Sequence, residues 1–317
     1  MERDEYKILK EEFKDRLKAN NLKAFLICAS VLGSWVFLIY LSLTFDGAIW
    51  FLSQFLLAVV ILQSFVLVHD LGHNNYFSYK PLNVFFGHLV SLPIMLPFYP
   101  WRSIHQGHHI WTGWKDKDPT QDQTKPQEYS AARKNILNFC WRFWIPILTL
   151  AFSFGNFWNV KKLITMFPKS KMKNISSILF LIVFYISMIS ILGSDSFFRF
   201  WGLSYFIFLM LSDPLLISQH SSIPQQLSHG EEVKMIPLHG QDTFTRALIF
   251  PSFIRKYILM GFNQHILHHL FPTVPGYHLC EAEVIFPNSE NWYDWLKRAK
   301  KTKGYDLILS SENNIKK

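Results

Sequence analysis

Eight of the 13 histidines in this 317-residue chain fall into three tight groups. His105, His108 and His109 stand in the order His-x-x-His-His, and the same order returns at His265, His268 and His269. His69 and His73 form a looser His-x-x-x-His. On a helix, positions i, i+3 and i+4 share a face, so each group aims its imidazoles into one volume of space, which is a metal-binding geometry. Positions i+3 and i+4 diverge by about 100° around the axis, so His108 and His109, or His268 and His269, can bracket one site or serve two neighbouring metals. A single His-x-x-His-His arises by chance in roughly one chain in fifty of this composition, and a pair far more rarely. Eight imidazoles exceed the coordination of one ion, so two metals are expected. Imidazole alone suits Zn, Cu, Fe or Ni without choosing among them. Asp70, beside His69, is placed to accept a hydrogen bond from a ligand ring's other N–H.

Groups this far apart in sequence need a scaffold that brings them together. Half of the residues are hydrophobic and 17% are aromatic, with a mean hydropathy of +0.12. That is too apolar for an ordinary soluble domain and too charged for a chain wholly inside a membrane. Ala24–Phe45 and Ala48–Val68 are uncharged runs of 22 and 21 residues, each long enough to cross about 30 Å of hydrocarbon. Ile175–Ser194 is a third, and Phe197–Ile217, with Arg199 near one end and Asp213-Pro214 near the other, a weaker fourth. Leu82–Pro100 and Phe143–Val160 are nearly as long. If either alone crossed, the histidine groups would land on opposite faces of the membrane; if both crossed, His105 to His109 would be stranded. Gly87, Pro93 and Pro97 favour a broken, re-entrant or interfacial path for the first. The expected fold is therefore all-α, with four transmembrane helices in two hairpins and a cytosolic helical cap carrying the histidine groups.

Residues 1–23 read as a cytosolic N-terminal tail, 24–280 as the membrane domain and 281–317 as a cytosolic C-terminal tail. Seven Lys or Arg in Met1–Lys23, against none in Asp46-Gly47, orient both termini to the cytosol. The first tail is too charged for a secretory signal. Cys28, Cys140 and Cys280 are too few and too scattered for a disulfide framework or a Cys-x-x-Cys metal site. Asp118-Pro119 reads as a turn. Lys115, Lys117, Lys125, Arg133 and Lys134 form a basic stretch suited to an acidic partner or to anionic lipid. Thr245–Phe262 reads as an amphipathic segment on the membrane, and Asn291–Leu296 as part of a short packed helix.

Five histidines lie outside the groups. His220 follows the fourth span as His69 follows the second, which puts both at the same depth. His88, in the re-entrant stretch, lacks a partner one turn away, and His229, His239 and His278 sit in loops rich in Gly or Pro.

The order of the groups, embedded in two membrane hairpins, resembles the membrane-bound fatty acid desaturase superfamily. The resemblance is carried by His69-Asp70-Leu71-Gly72-His73, by Trp101-Arg102-x-x-His105 through His109, and by His265-x-x-His268-His269-Leu270-Phe271-Pro272, and it covers roughly Ala24 to Cys280. It implies a diiron centre held by His69, His73, His105, His108, His109, His265, His268 and His269, with His220 matching the region that supplies one more ligand in that family. It also implies O2 as co-substrate, hydrogen abstraction from an unactivated methylene, and a double bond left in an acyl chain carried on a lipid, coenzyme A or carrier protein. Two electrons per turnover would come from outside. No His-Pro-Gly-Gly haem motif is present, so a separate ferredoxin or b-type cytochrome is expected as donor. The third group also begins with His265 where the front-end subfamily has Gln. A hydroxylase or carotenoid ketolase shares the groups, although Leu270-Phe271-Pro272 favours acyl desaturation. A zinc-dependent membrane hydrolase is the reading from a different class.

Overall fold

A computed structural model describes residues 1–124, 129–282 and 284–309; Lys125 of the basic stretch and the last eight residues of the C-terminal tail lie outside the described residues. Helix α1 (Arg3–Glu12) precedes α2 (Asn21–Thr44) and α3 (Gly47–Gly72). The Asn20 side chain accepts from the Lys23 N–H and so starts α2, satisfying one of the orphan donors of a helix N-terminus. Two residues, Phe45 and Asp46, join α2 to α3, and the two helices pack against each other. Inside that contact Gln54 donates to Ser42 at 2.7 Å, which gives each buried polar side chain a partner where water is absent.

Helices α4 (Lys80–Ile94) and α5 (Phe98–Trp111) fold back on each other with a bend of 102°. Pro93 and Pro97 flank the break, and Met95 takes a left-handed φ of 55°, so the chain turns where proline interrupts the helical ladder. A Cβ on Gly87 would run into the Phe98 ring, and glycine is what lets the two arms close. The freed carbonyls at the end of α4 find donors in the Tyr185 hydroxyl, on Leu92, and the Tyr205 hydroxyl, 3.3 Å from Ile94. Backbone groups away from water require such partners. This is the broken path expected of Leu82–Pro100.

Helices α6 (Ala131–Arg142), α7 (Ile147–Asn156) and α8 (Val160–Met166) lead to α9 (Lys171–Leu192) and α10 (Ser194–His220). Among the described residues four helices, α2, α3, α9 and α10, are long and apolar enough to cross a membrane. Arg199 does not break the last of them because it serves the far end of α2. Its guanidinium donates to the carbonyls of Ser42 at 2.9 Å and Phe45 at 2.8 Å and pairs with Asp46, completing a helix C-terminus with a cation. Asp213 accepts from the Leu148 and Thr149 N–H groups at 3.4 and 2.6 Å and so fixes the first turn of α7, while α10 continues through Pro214 to His220.

Thr245–Phe262, expected as an amphipathic segment, is not one regular element. Its start forms β1 (Ala247–Ile249), and a single π turn follows at Ile254–Ile258. Pro251 and Gly261, the latter at φ 91°, prevent one continuous helix. After α11 (His265–Leu270) and α12 (Gly276–Leu279), β2 (Ser289–Asn291) pairs in parallel with β1, in the register Ala247 to Ser289. Helices α13 (Trp292–Lys301) and α14 (Gly304–Leu309) close the described chain.

Both tails pack on the rest. The Tyr6 and Phe13 rings stack on Phe271 at 5.2 and 5.4 Å. Lys300 Nζ lies 3.8 Å from the ring centroids of both Trp141 and Trp144, contacts of order 1 kcal/mol each.

Candidate metal centre

Three helices deliver the grouped histidines. Helix α3 runs on for a full turn past Val68, so His69 belongs to its last turn and His73 is its C-cap. His105, His108 and His109 share α5, and His265, His268 and His269 share α11. All are buried except His73, which is half-buried like His220 at the end of α10. Glycine and aromatic packing hold the helices close: the Trp101 ring lies over Gly72 and stacks on His105 at 4.9 Å.

The imidazoles sort into two sets that do not follow the sequence groups. His69, His73, His105 and His268 form one, and His108, His220, His265 and His269 the other; within each set the candidate ligand atoms lie within 4.8 Å of one another. His109 stands between them, its Nε2 3.2 Å from that of His105 and 3.0 Å from that of His268, its ring 4.3 Å from that of His269. His88, His229, His239 and His278 are elsewhere: His88 binds the Val84 carbonyl at 2.8 Å between aromatic rings, His239 lies 6.1 Å from the Tyr6 ring, and His278 approaches the Lys18 carbonyl.

Four rings are held from behind through Nδ1. Asp70 Oδ1 lies 3.0 Å from His69, Asp118 Oδ2 2.7 Å from His108, Gln241 Oε1 2.9 Å from His269 and the Phe244 carbonyl 3.0 Å from His220. An acceptor at Nδ1 fixes the tautomer and leaves the Nε2 lone pair facing the set. The acceptors are themselves fixed. Asp70 Oδ2 takes the Gly276 N–H at 2.9 Å, and a Cβ at that position would collide with the carboxylate. Asp118 accepts from the Thr120 N–H and hydroxyl at 2.8 and 2.7 Å, while Gln241 donates to the His109 carbonyl at 2.9 Å. The Asp70 contact with His69 is the hydrogen bond anticipated for it in the sequence. Asp118 and Gln241 were missed: Asp118-Pro119 does turn the chain, but that its buried carboxylate reaches His108 is a tertiary fact.

Burial holds His265, His268 and His269 well below the ordinary imidazole value, and neighbouring rings add to the effect. Those rings are therefore neutral, the form that binds metals. Burial alone would raise the Asp118 carboxyl, but the His108 ring and the Thr120 bonds hold it below its usual range.

The residues fit a metal pair. Two nitrogens bound at about 2.1 Å and at right angles to one ion lie about 3.0 Å apart. His73 Nε2 is 2.9 Å from His105 Nε2, and His265 Nε2 is 2.9 Å from His220 Nε2 and 3.1 Å from His269 Nε2. His69 Nε2 is buried with no hydrogen-bond partner. Such an atom costs about 1 to 3 kcal/mol unless something binds it.

A cavity of about 280 Å³ opens against both sets, touching His69 and His105 of one and His108, His220 and His265 of the other. Its remaining wall is mainly apolar, from Trp101 and Ile104 of α5, Phe152 of α7, Phe157, Leu216 of α10 and Phe262. Two sets of imidazoles facing a greasy slot suit oxidative chemistry on a hydrocarbon better than hydrolysis of a polar group.

Residues 45–295 match the fatty acid desaturase family. The chain belongs to that family. Among curated desaturases it resembles the omega-3 fatty acid desaturase fat-1 of Caenorhabditis elegans, 28% identical over 255 residues that cover 73% of this chain and 60% of that protein. The temperature-sensitive sn-2 acyl-lipid omega-3 desaturase (ferredoxin) of Arabidopsis thaliana chloroplasts is 27% identical, over 74% of this chain and 55% of its own. The acyl-lipid omega-3 desaturase (cytochrome b5) of the Arabidopsis thaliana endoplasmic reticulum is 26% identical, over 69% and 58%. The chain thus spans a little over half the length of these desaturases. All nine clustered histidines fall within the family match.

Proposed function

We propose that this chain is a membrane desaturase that inserts a double bond into an acyl chain at a pair of histidine-held irons. The observation that carries the reading is the cavity, because a single apolar slot touches both histidine sets. An extended hydrocarbon lying there would present adjacent methylenes to both. The chain's part is to bind and exclude. The imidazoles would hold the metals, Asp70, Asp118, Gln241 and the Phe244 carbonyl keep the rings aimed, and the apolar wall keeps water from the reacting carbons. When bound, the two irons would supply the activation of O2 needed to break unactivated C–H bonds. Overall, one –CH2–CH2– unit, O2, two electrons and two protons become –CH=CH– and two waters. The electrons require a donor. Because two of the relatives are named as acyl-lipid enzymes, one with ferredoxin and one with cytochrome b5, an acyl lipid and a small one-electron carrier of either kind are the proposed partners.

The test is expression in a host, with fatty acid analysis and metal analysis of the purified protein. About two Fe per chain and a new unsaturated fatty acid are expected. About one Zn per chain without product would make the chain a hydrolase candidate, and a hydroxy or keto product with iron would place it on another branch of the same chemistry.

We also propose that both termini and the metal centre face the cytosol, a reading supported by the basic tail and by four candidate crossings. Reporter fusions at residues 20, 120 and 240 should then all read as cytosolic. A fusion at 120 on the opposite face would mean that α4 and α5 cross together as one span.

A further inference from the structure

Helix α14 lies beyond the family match, which ends at residue 295, yet Leu307 and Ile308 line the cavity beside the histidines. Its place there is built in several ways. A Cβ on Gly304 would come within 2.7 Å of Trp141 Cβ and 2.9 Å of the Leu137 carbonyl, so glycine lets α14 lie directly on α6. The Tyr305 N–H donates to Asn138 Oδ1 at 2.9 Å, and Lys134 Nζ sits 4.5 Å from the Tyr305 ring centroid. Just upstream, the Trp141 indole N–H donates to the Ala299 carbonyl at 2.9 Å, and Lys300 is held between Trp141 and Trp144. Leu307 is buried in an apolar cluster with Trp141, Leu248, Trp295 and Ala299, whereas Ile308 packs only partly against it.

We propose that α14 is part of the acyl-binding site, with Ile308 and Leu307 forming the outer wall that grips the acyl chain between the metal centre and its polar carrier. The proposal rests on the desaturase reading. The carrier end is assigned by charge: Arg133 of α6 is the one Lys, Arg, Asp or Glu among the described lining residues. Arg133 is exposed, its guanidinium 4.4 Å from the Tyr129 ring centroid. It marks the mouth where a phosphate-bearing carrier remains in water while the hydrocarbon passes Ile308 and Leu307 inward. Grip of this kind acts on substrate affinity and not on the chemistry at the metals.

Two measurements on the full-length, iron-loaded protein test this. In a host fed increasing fatty acid, Ile308→Ala should raise the half-saturating concentration about tenfold and leave the plateau of product within twofold of wild type. Unchanged half-saturation, with or without a lower plateau, would reduce α14 to a packing element. Separately, a long-chain fatty acid with a diazirine near its carboxyl end should label the peptide containing Leu307 and Ile308, and unlabelled oleate should compete. Labelling that avoids this peptide would overturn the proposal even if the wild type makes product. Absence of any product from the wild type would instead tell against the desaturase reading, while the label still reports whether α14 touches an acyl chain.

Discussion

His268→Ala is expected to abolish product, to below about one-hundredth of wild type, in a protein that still inserts into the membrane. His268 Nε2 lies 3.0 Å from that of His109, and its ring centroid is 4.2 Å from that of His69. Deleting it therefore opens the set containing His69, His73 and His105 at its centre. Losing merely an outer hydrogen-bond partner of a metal ligand costs 10- to 100-fold in affinity or activity, and losing the ligand itself should cost more. The candidate spans, by contrast, bury their own apolar faces, and His268 sits on a six-residue helix outside all of them. Iron per chain and membrane-fraction yield should be measured together. Wild-type turnover in His268→Ala would end the argument for a metal site, and His108→Ala probes the other set in the same way.

The second large effect is expected at His220, which belongs to no sequence group. Its Nε2 lies 2.9 Å from that of His265, and its Nδ1 is held by the Phe244 carbonyl. Removing the ring would leave His108, His265 and His269 as three ligands of that set. His220→Ala should therefore lower both iron content and activity nearly as far as a grouped histidine does. His229→Ala and His239→Ala should keep at least half of the activity, since neither ring joins the cluster. Full iron loading in His220→Ala would confine the site to the other eight histidines.

Much of this architecture was legible in the sequence because the signals are short-range. A 22-residue uncharged run states its own length against a bilayer, and His-x-x-His-His states which rings share a helical face. The broken course of Leu82–Pro100 followed from Pro93 and Pro97, whose fixed φ and missing N–H act wherever the chain lies. Arg199 looked like a flaw in the fourth span; only the packed structure reveals that it completes the end of α2. That the stretch from Thr245 holds a strand was not legible, because the partner of β1, at Ser289–Asn291, is some forty residues away.

Residue types and local spacing determined that membrane-length helices and clustered histidines belong together. What the tertiary structure decided is how the imidazoles divide. Each set draws from all but one of the chain segments involved, so His268 and His269, neighbours on one helix, point to different sets. Spacing around a helix fixes the angle between two side chains but not which distant helix faces each of them. The same holds for Asp118 behind His108, Gln241 behind His269, and Leu307 and Ile308 in the cavity wall. A carboxylate, an amide or an aliphatic side chain is common anywhere in a sequence, and it acquires a role at a site only when the packing of remote segments brings it there.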